Sequence, residues 1–321
     1  MKDVNESLIQ HGTVWLPRSA STFSDSIDST FNIITWSSIF MFLCIVAVGI
    51  YFIIKYRRTP SNQQAVSQVT HNHQLELLWT VIPLVLLIAL FFWGYKDYLN
   101  MAVPPANAME IRVIGKKWLW QFEYPKQGVK TLNEIVVPVN QPVKLIMSSD
   151  DVIHSFYIPN FRVKKDVLPN RYSRLWFEAT STGNYQIFCT EYCGDGHSGM
   201  LANLKVLSQE EYDDWLKNGS SGDDLPLEKL GEKLYTANAC ATCHSLDGSS
   251  KTGPTWKGLY GKKREFQDGS SAIADDDYIR NSINKPNLKV VKGYAPVMPS
   301  YEGLLNERQI NGIIEYIKTL K

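Results

Sequence analysis

The 321-residue sequence predicts a multidomain chain: a two-helix transmembrane hairpin, a Greek-key β-barrel or sandwich, and a small all-α domain. Three observations carry this expectation. Two long apolar runs are confined to the first hundred positions. Seven short segments rich in β-branched and aromatic residues follow, and helical periodicity returns after a Gly/Ser/Asp-rich stretch. Acidic and basic side chains nearly balance, 32 against 33, so there is no basic field of the kind that binds nucleic acid.

The hairpin comes first. Phe31 to Ile54 is almost uninterruptedly apolar, and its roughly 24 residues suffice to cross a hydrocarbon core of about 30 Å. Leu77 to Tyr95 is the second span. The basic cluster Lys55-Tyr56-Arg57-Arg58 lies between them and places that loop in the cytoplasm, so both termini and everything after residue 100 are expected outside a bacterial-type inner membrane. Residues 1–28 form an extracytoplasmic segment without an apolar core and cleavage site, so the first span is expected to double as the targeting signal. Cys44 lies inside that span and reads as a small apolar residue. Glu76 starts the second span, where a helix N-terminus favours negative charge. Pro83 is expected to kink the same helix, and His71 and His73 to sit on the surface of the cytoplasmic loop.

Pro104-Pro105 ends the hairpin (29–100), and the period then changes to that of strands. Met109–Ile114, Lys117–Tyr124, Glu134–Val139, Val143–Met147, Leu175–Glu178, Tyr185–Phe188 and Leu201–Val206 are separated by Gly, Pro and Asn, which gives a β-domain over 101–217 closed by a helix from Ser208. Residues 218–228 read as a flexible linker; a nine-residue coil spans roughly 17 Å. In the last domain, 229–321, Leu230–Asn238 and Asp275–Ile283 look helical. Ile310, Ile313, Ile314 and Ile317 repeat at helical spacing behind a capping box of Asn306 and Gln309.

Two clusters carry chemistry. Cys189, Cys193, His197 and Met200 fall within a dozen residues, and such soft donors suit copper better than calcium or magnesium. Zinc is the competing reading of Cys and His. Between Met101 and Lys217 the only histidines are His154 and His197, and the thioether of Met200 weighs against zinc. The second cluster, Cys240-Ala-Thr-Cys243-His244, is the pattern that attaches a c-type haem through two thioethers with the histidine as axial ligand. After Met200, His244 is the sole histidine and Met298 the sole methionine, so a six-coordinate haem has only this pair among its usual ligands. Two structural disulfides would be the plain alternative for the four cysteines outside the membrane.

His154 together with Cys189-x-Glu191-x-Cys193-x-x-x-His197-x-x-Met200 resembles the binuclear CuA site of cytochrome c oxidase subunit II, a resemblance that covers residues 30 to 217. It implies a cupredoxin-like fold in which Cys189 and Cys193 bridge two coppers. His154 and His197 complete one copper each, Met200 is a weak ligand, and Glu191 contributes its backbone carbonyl. The Glu191 side chain would face a magnesium shared with subunit I. The run Lys116-Lys117-Trp118-Leu119-Trp120-Gln121-Phe122-Glu123-Tyr124 is the second family signature. Trp118 matches the exposed tryptophan that receives electrons from cytochrome c. Strand alternation would put Trp118 and Trp120 on one face, leaving open which is exposed. Glu76 matches a glutamate at the mouth of a proton channel in subunit I. Gly253-Pro254 and Pro296-Val297-Met298-Pro299 resemble class I cytochrome c.

The resemblance implies an electron-transfer subunit that takes electrons from a cytochrome, a copper protein or a quinol-oxidising complex. They would travel through covalent haem c and CuA to subunit I, among further integral-membrane subunits, for reduction of oxygen with proton pumping. A CuA-bearing subunit of a nitric oxide reductase and a membrane-anchored copper-binding or assembly protein are the alternatives.

Overall fold

A computed structural model describes residues 12–60, 63–64, 69–218 and 225–321. Residues 1–11 of the expected N-terminal segment and 219–224 of the expected linker lie outside the described residues. By its contacts the chain forms two units, a helical one over Phe23–Val103 and a second made of the residues up to Thr22 with Pro104–Lys321.

In the helical unit, α1 (Ser24–Lys55) and α2 (His73–Ala102) run past the apolar spans at both ends. At 1.5 Å per residue each is about 45–48 Å long, more than a hydrocarbon core requires. The apolar windows of both helices have no residue buried by protein, and Cys44 is exposed with them. Such surfaces are untenable in water and ordinary against lipid. Polar groups pin the hairpin at its ends. Asp97 accepts hydrogen bonds from Ser26 Oγ at 2.6 Å and Thr30 Oγ1 at 3.2 Å. At the start of α2, Asn72 Oδ1 caps Leu75 N–H and Glu76 Oε1 accepts from Asn72 N–H, both at 3.2 Å. Pro83 lies inside α2, which continues to Ala102.

The second unit opens with two five-stranded sheets of a cupredoxin-like sandwich. The first has the order β3 (Val129–Leu132), β2 (Leu119–Tyr124), β1 (Met109–Lys116), β5 (Pro142–Ser149), β8 (Ser173–Glu178). The second has the order β4 (Glu134–Pro138), β10 (Leu201–Leu207), β9 (Gly183–Cys189), β6 (His154–Ile158), β7 (Val163–Val167). The β1–β5 and β4–β10 pairs are parallel and the rest antiparallel. Trp120, Phe122, Tyr124, Phe156, Phe161 and Phe177 fill the core. Tyr124 Oη locks the two sheets, donating to Val136 O at 3.0 Å and accepting from Val136 N–H at 2.7 Å. The segment before α1 is sewn to this domain through Ala20 N–H to Asn160 O and Arg162 Nη2 to Pro17 O.

One expectation needs correction here. The strand read as Lys117–Tyr124 begins at Leu119, because Lys116 pairs with Leu119 and residues 117–118 are the turn of the β1–β2 hairpin. Trp118 therefore does not share the alternation of Trp120.

After α3 (Gln209–Asn218), the C-terminal domain contains α4 (Leu227–Ala237), the short α5 (Cys240–Cys243), a two-stranded ribbon of β11 (Lys263–Glu265) and β12 (Ser271–Ile273), α6 (Asp276–Asn284) and α7 (Glu307–Thr319). The capping box is formed: Asn306 Oδ1 accepts Gln309 N–H at 2.9 Å and Gln309 Oε1 accepts Asn306 N–H at 3.0 Å. Ile310, Ile313, Ile314 and Ile317 are all buried, each contributing about 1.5–3 kcal/mol. Helices α4 and α7 cross where Gly231 meets Gly312.

Candidate metal centres

The end of β9, the loop behind it and the start of β6 bring the first donor set together. Cys189 and Cys193 Sγ lie 3.8 Å apart, and the cysteines are free. That is far beyond a disulfide bond of about 2.05 Å. His154 Nδ1 is 3.9 Å from Cys189 Sγ, while His197 Nδ1 is 3.5 Å and Met200 Sδ 3.8 Å from Cys193 Sγ. Cys189 Sγ also lies 3.3 Å from the Glu191 carbonyl, whose side chain is exposed. His154 and Met200 are fully buried and both thiols nearly so.

Small residues make room for this packing. A side chain at Gly115 would come within 2.9 Å of the His154 ring. Gly194 and Gly196 lie under Trp118: a Cβ at 196 would stand 2.4 Å from the indole, and Gly194 has φ +115°. Trp118 Nε1–H donates to Cys193 O at 3.1 Å. Trp120 meets the His154 ring edge-on, with centroids 5.9 Å apart.

Asp151, which sequence reasoning missed, orients His154. Its Oδ1 lies 2.8 Å from His154 Nε2, and it also accepts Val152 N–H at 2.6 Å and Lys117 N–H at 2.8 Å. The imidazole is thereby held with Nε2 as donor and Nδ1 toward sulfur. Burial opposes ionisation of Asp151, but hydrogen bonds from His154 and the two backbone amides bring its carboxyl down to about 2. The only sequence signal was an acid three residues before a candidate ligand.

Burial resists ionisation of Cys189, yet hydrogen bonding to His154 and backbone groups outweighs it and lowers its thiol, whereas burial and the Cys189 charge raise that of Cys193. Two thiolates at this distance need compensating positive charge. Two sulfurs able to bridge, two imidazole nitrogens, a thioether and a carbonyl form a donor set that fits a pair of coppers. Carboxylate–histidine pairs of this kind support metal affinity by about 10–100-fold. Asp151→Asn is therefore expected to lose copper to a chelator that much more readily and to shift the copper absorption, with Asp151→Glu restoring much of both.

The second donor set lines a cavity walled mainly by the C-terminal domain. Cys240, Cys243, His244 and Met298 all face it, among Pro254, Leu259 and Tyr301. His244 is buried, and its Nδ1 meets Pro254 O at 2.6 Å, which leaves Nε2 for the cavity. Burial holds the His244 pKa below its ordinary value, which favours the neutral ring. Gly253 is needed there, since a Cβ would lie 2.8 Å from His244 Cε1. An apolar cavity with two thiols, a neutral imidazole and a thioether on its wall fits a haem.

The sequence left open which of the two tryptophans is exposed; Trp118 is 6% exposed and Trp120 is fully buried. The Trp118 ring is covered on one side by the 194–196 loop and also lines the cavity of the C-terminal domain. Glu76 stays in the helical unit as a half-exposed capping group, 3.6 Å from His73 Nδ1, with the His71 and His73 rings 4.8 Å apart.

Comparison with known proteins agrees with this architecture. Residues 9–96 match the family described as cytochrome C oxidase subunit II, transmembrane domain; residues 127–207 match its periplasmic domain, and residues 228–321 match cytochrome c. The cytochrome c oxidase subunit 2 of Alkalihalophilus pseudofirmus is 31% identical over 90% of this chain and 86% of its own length. That of Bacillus subtilis is 28% identical over 84% of this chain and 82% of its own. Fold and sites thus define a membrane-anchored electron-transfer protein with a cupredoxin-like copper domain and a cytochrome c domain. The chain belongs to the cytochrome c oxidase subunit II family.

Proposed function

We propose that the chain is the electron-delivering subunit of a haem–copper cytochrome c oxidase, working beside subunit I and further integral-membrane subunits. When bound, covalent haem c and binuclear CuA supply one-electron chemistry in series between an external donor and subunit I, where oxygen is reduced to water with proton pumping. The donor is a cytochrome, a copper protein or a quinol-oxidising complex. One observation carries this reading. A single indole, Trp118, lines the haem cavity and donates a hydrogen bond to the backbone of the copper ligand Cys193.

The chain's own residues do three things for that chemistry. Ligands on strand ends and on the loop behind β9, most of them buried, hold the sulfur and nitrogen donors with little freedom to move, which keeps reorganisation small. His244 and Met298 present one nitrogen and one sulfur to the cavity, while Cys240 and Cys243 present the thiols for attachment. The exposed Glu191 carboxylate is free to reach a magnesium at the subunit I interface, and Glu76 at the cytoplasmic start of α2 stands at the mouth of a proton path. With both redox domains outside and the 56–72 loop inside, the chain fits a bacterial-type inner membrane.

Met298→Ala is expected to leave the haem attached but open its sixth position, so that the reduced protein binds carbon monoxide at this haem. Attachment without added ligand binding would remove Met298 from the ligand set. The reading as a whole is tested by isolating the tagged full-length chain from its native membrane. Co-isolation of a subunit I, with haem c oxidised by oxygen in step with CuA, is expected. A complex without subunit I, or a haem that stays reduced in oxygenated buffer, would contradict it.

A further inference from the structure

The His244 imidazole lies against the indole of Trp256, with ring centroids 5.5 Å apart and planes inclined by 32°, closer to face-to-face than edge-on. Both residues are buried, 8% and 6% exposed respectively. Trp256 cannot slide along the imidazole, because its backbone N–H donates to Ser245 O at 2.9 Å and Thr255 Oγ1 donates to the same carbonyl at 2.9 Å. The indole is thus pinned to the residue that follows the ligand.

Tyr235, on α4, closes a triangle behind the pair. Its ring packs on Trp256 with centroids 4.9 Å apart, and its Oη–H donates to His244 O at 2.6 Å. Pro254 O holds the Nδ1 edge of the imidazole, and Gly253 lies close against Cε1. Trp256 also lines the cavity that His244 faces, so the indole reaches the same space as the ligand nitrogen.

The face of an aromatic ring is electron-rich and attracts positive charge within about 6 Å of its centroid, indole most strongly. An imidazole bound to ferric iron carries more positive charge than one bound to ferrous iron, and in a buried site that difference is weakly screened. From this geometry we infer that Trp256 is a positioning residue for the haem. It fixes the rotation of the His244 ring and favours the oxidised iron, so the haem potential lies below what the ligand pair alone would set. A haem held at lower potential is the better electron donor to the copper site. That consequence rests on the electron-delivery reading; the effect on the potential does not.

Spectroelectrochemical titration of the full-length holoprotein, followed at the haem band, tests the assignment, with electron paramagnetic resonance of the oxidised haem as a second readout. Trp256→Leu is expected to raise the ferrous-to-ferric ratio at the wild-type midpoint about threefold. That is ~30 mV, since a tenfold ratio is about 59 mV for one electron. The low-spin g values are expected to shift with it as the imidazole gains freedom to turn. Trp256→Phe keeps a ring with a weaker face, so its midpoint is expected between those of wild type and Trp256→Leu. Should Trp256→Leu fail to take up haem, Trp256→Phe decides alone. A midpoint unchanged in Trp256→Phe overturns the assignment, as do unchanged g values in Trp256→Leu. A lowered midpoint in either variant also overturns it, because that is the sign produced by water entering the vacated space. Haem-to-copper transfer that fails in stopped flow while the expected order of midpoints holds would refute electron delivery and leave the role of Trp256 standing.

Discussion

Cys193→Ser is expected to abolish the mixed-valence copper absorption completely while leaving the haem c spectrum unchanged. Cys193 is the hub of its site: its sulfur is 3.8 Å from Cys189 Sγ, 3.5 Å from His197 Nδ1 and 3.8 Å from Met200 Sδ. Sharing one unpaired electron over two metals requires two bridging sulfurs, and a neutral hydroxyl is a harder and much weaker bridge. The remaining Cys189, His154, His197 and Met200 lack a second bridging sulfur. The cytochrome domain has its own donors, so its colour is the internal control. Absorption spectra of the two purified proteins make the comparison. A mixed-valence band that survives the substitution would remove Cys193 from the site.

Gly231→Val is expected to destabilise the cytochrome domain by about 3 kcal/mol or more, as a forced overpacking of a close crossing. A Cβ at 231 would lie 2.0 Å from the carbonyl oxygen of Gly312 and 2.6 Å from Tyr316 Cβ, and neither backbone nor Cβ can swing away. Helices α4 and α7 would have to separate, exposing part of the Ile310–Ile317 stripe. For a domain of this size that loss lowers the melting temperature by more than about 10 °C. Gly312→Ala is the milder counterpart, because its nearest neighbours stand at 3.1–3.3 Å and can yield by a few tenths of an ångström. Thermal melts of the holoprotein followed by haem-region circular dichroism rank the two; equal melting temperatures would contradict the crossing geometry.

The donor types were legible in the sequence because soft ligands are rare and these are clustered, and the apolar spans and the isoleucine stripe because their periods are long and unbroken. The missed strands have physical reasons. β7, Val163–Val167, buries only its two ends, with charged residues between, so it carries no period-two signal. β3 has four residues, and β6 contains the candidate ligand His154 among mixed side chains. Asp151 was invisible because nothing local distinguishes an acid that orients a histidine from one on a solvated turn. The burial of Trp118 was out of reach for a different reason: it depends on the 194–196 loop and on the cavity wall around Cys240, both far along the chain, and spacing does not report that.

The central claim is that Cys189 and Cys193 hold two coppers between them. Its most direct measurement is the near-infrared absorption of the purified, oxidised full-length chain, taken with its metal content. Two coppers per chain outside subunit I, with a mixed-valence band that vanishes on reduction, is the expected result. Zinc at the site, or copper without that band, would contradict it.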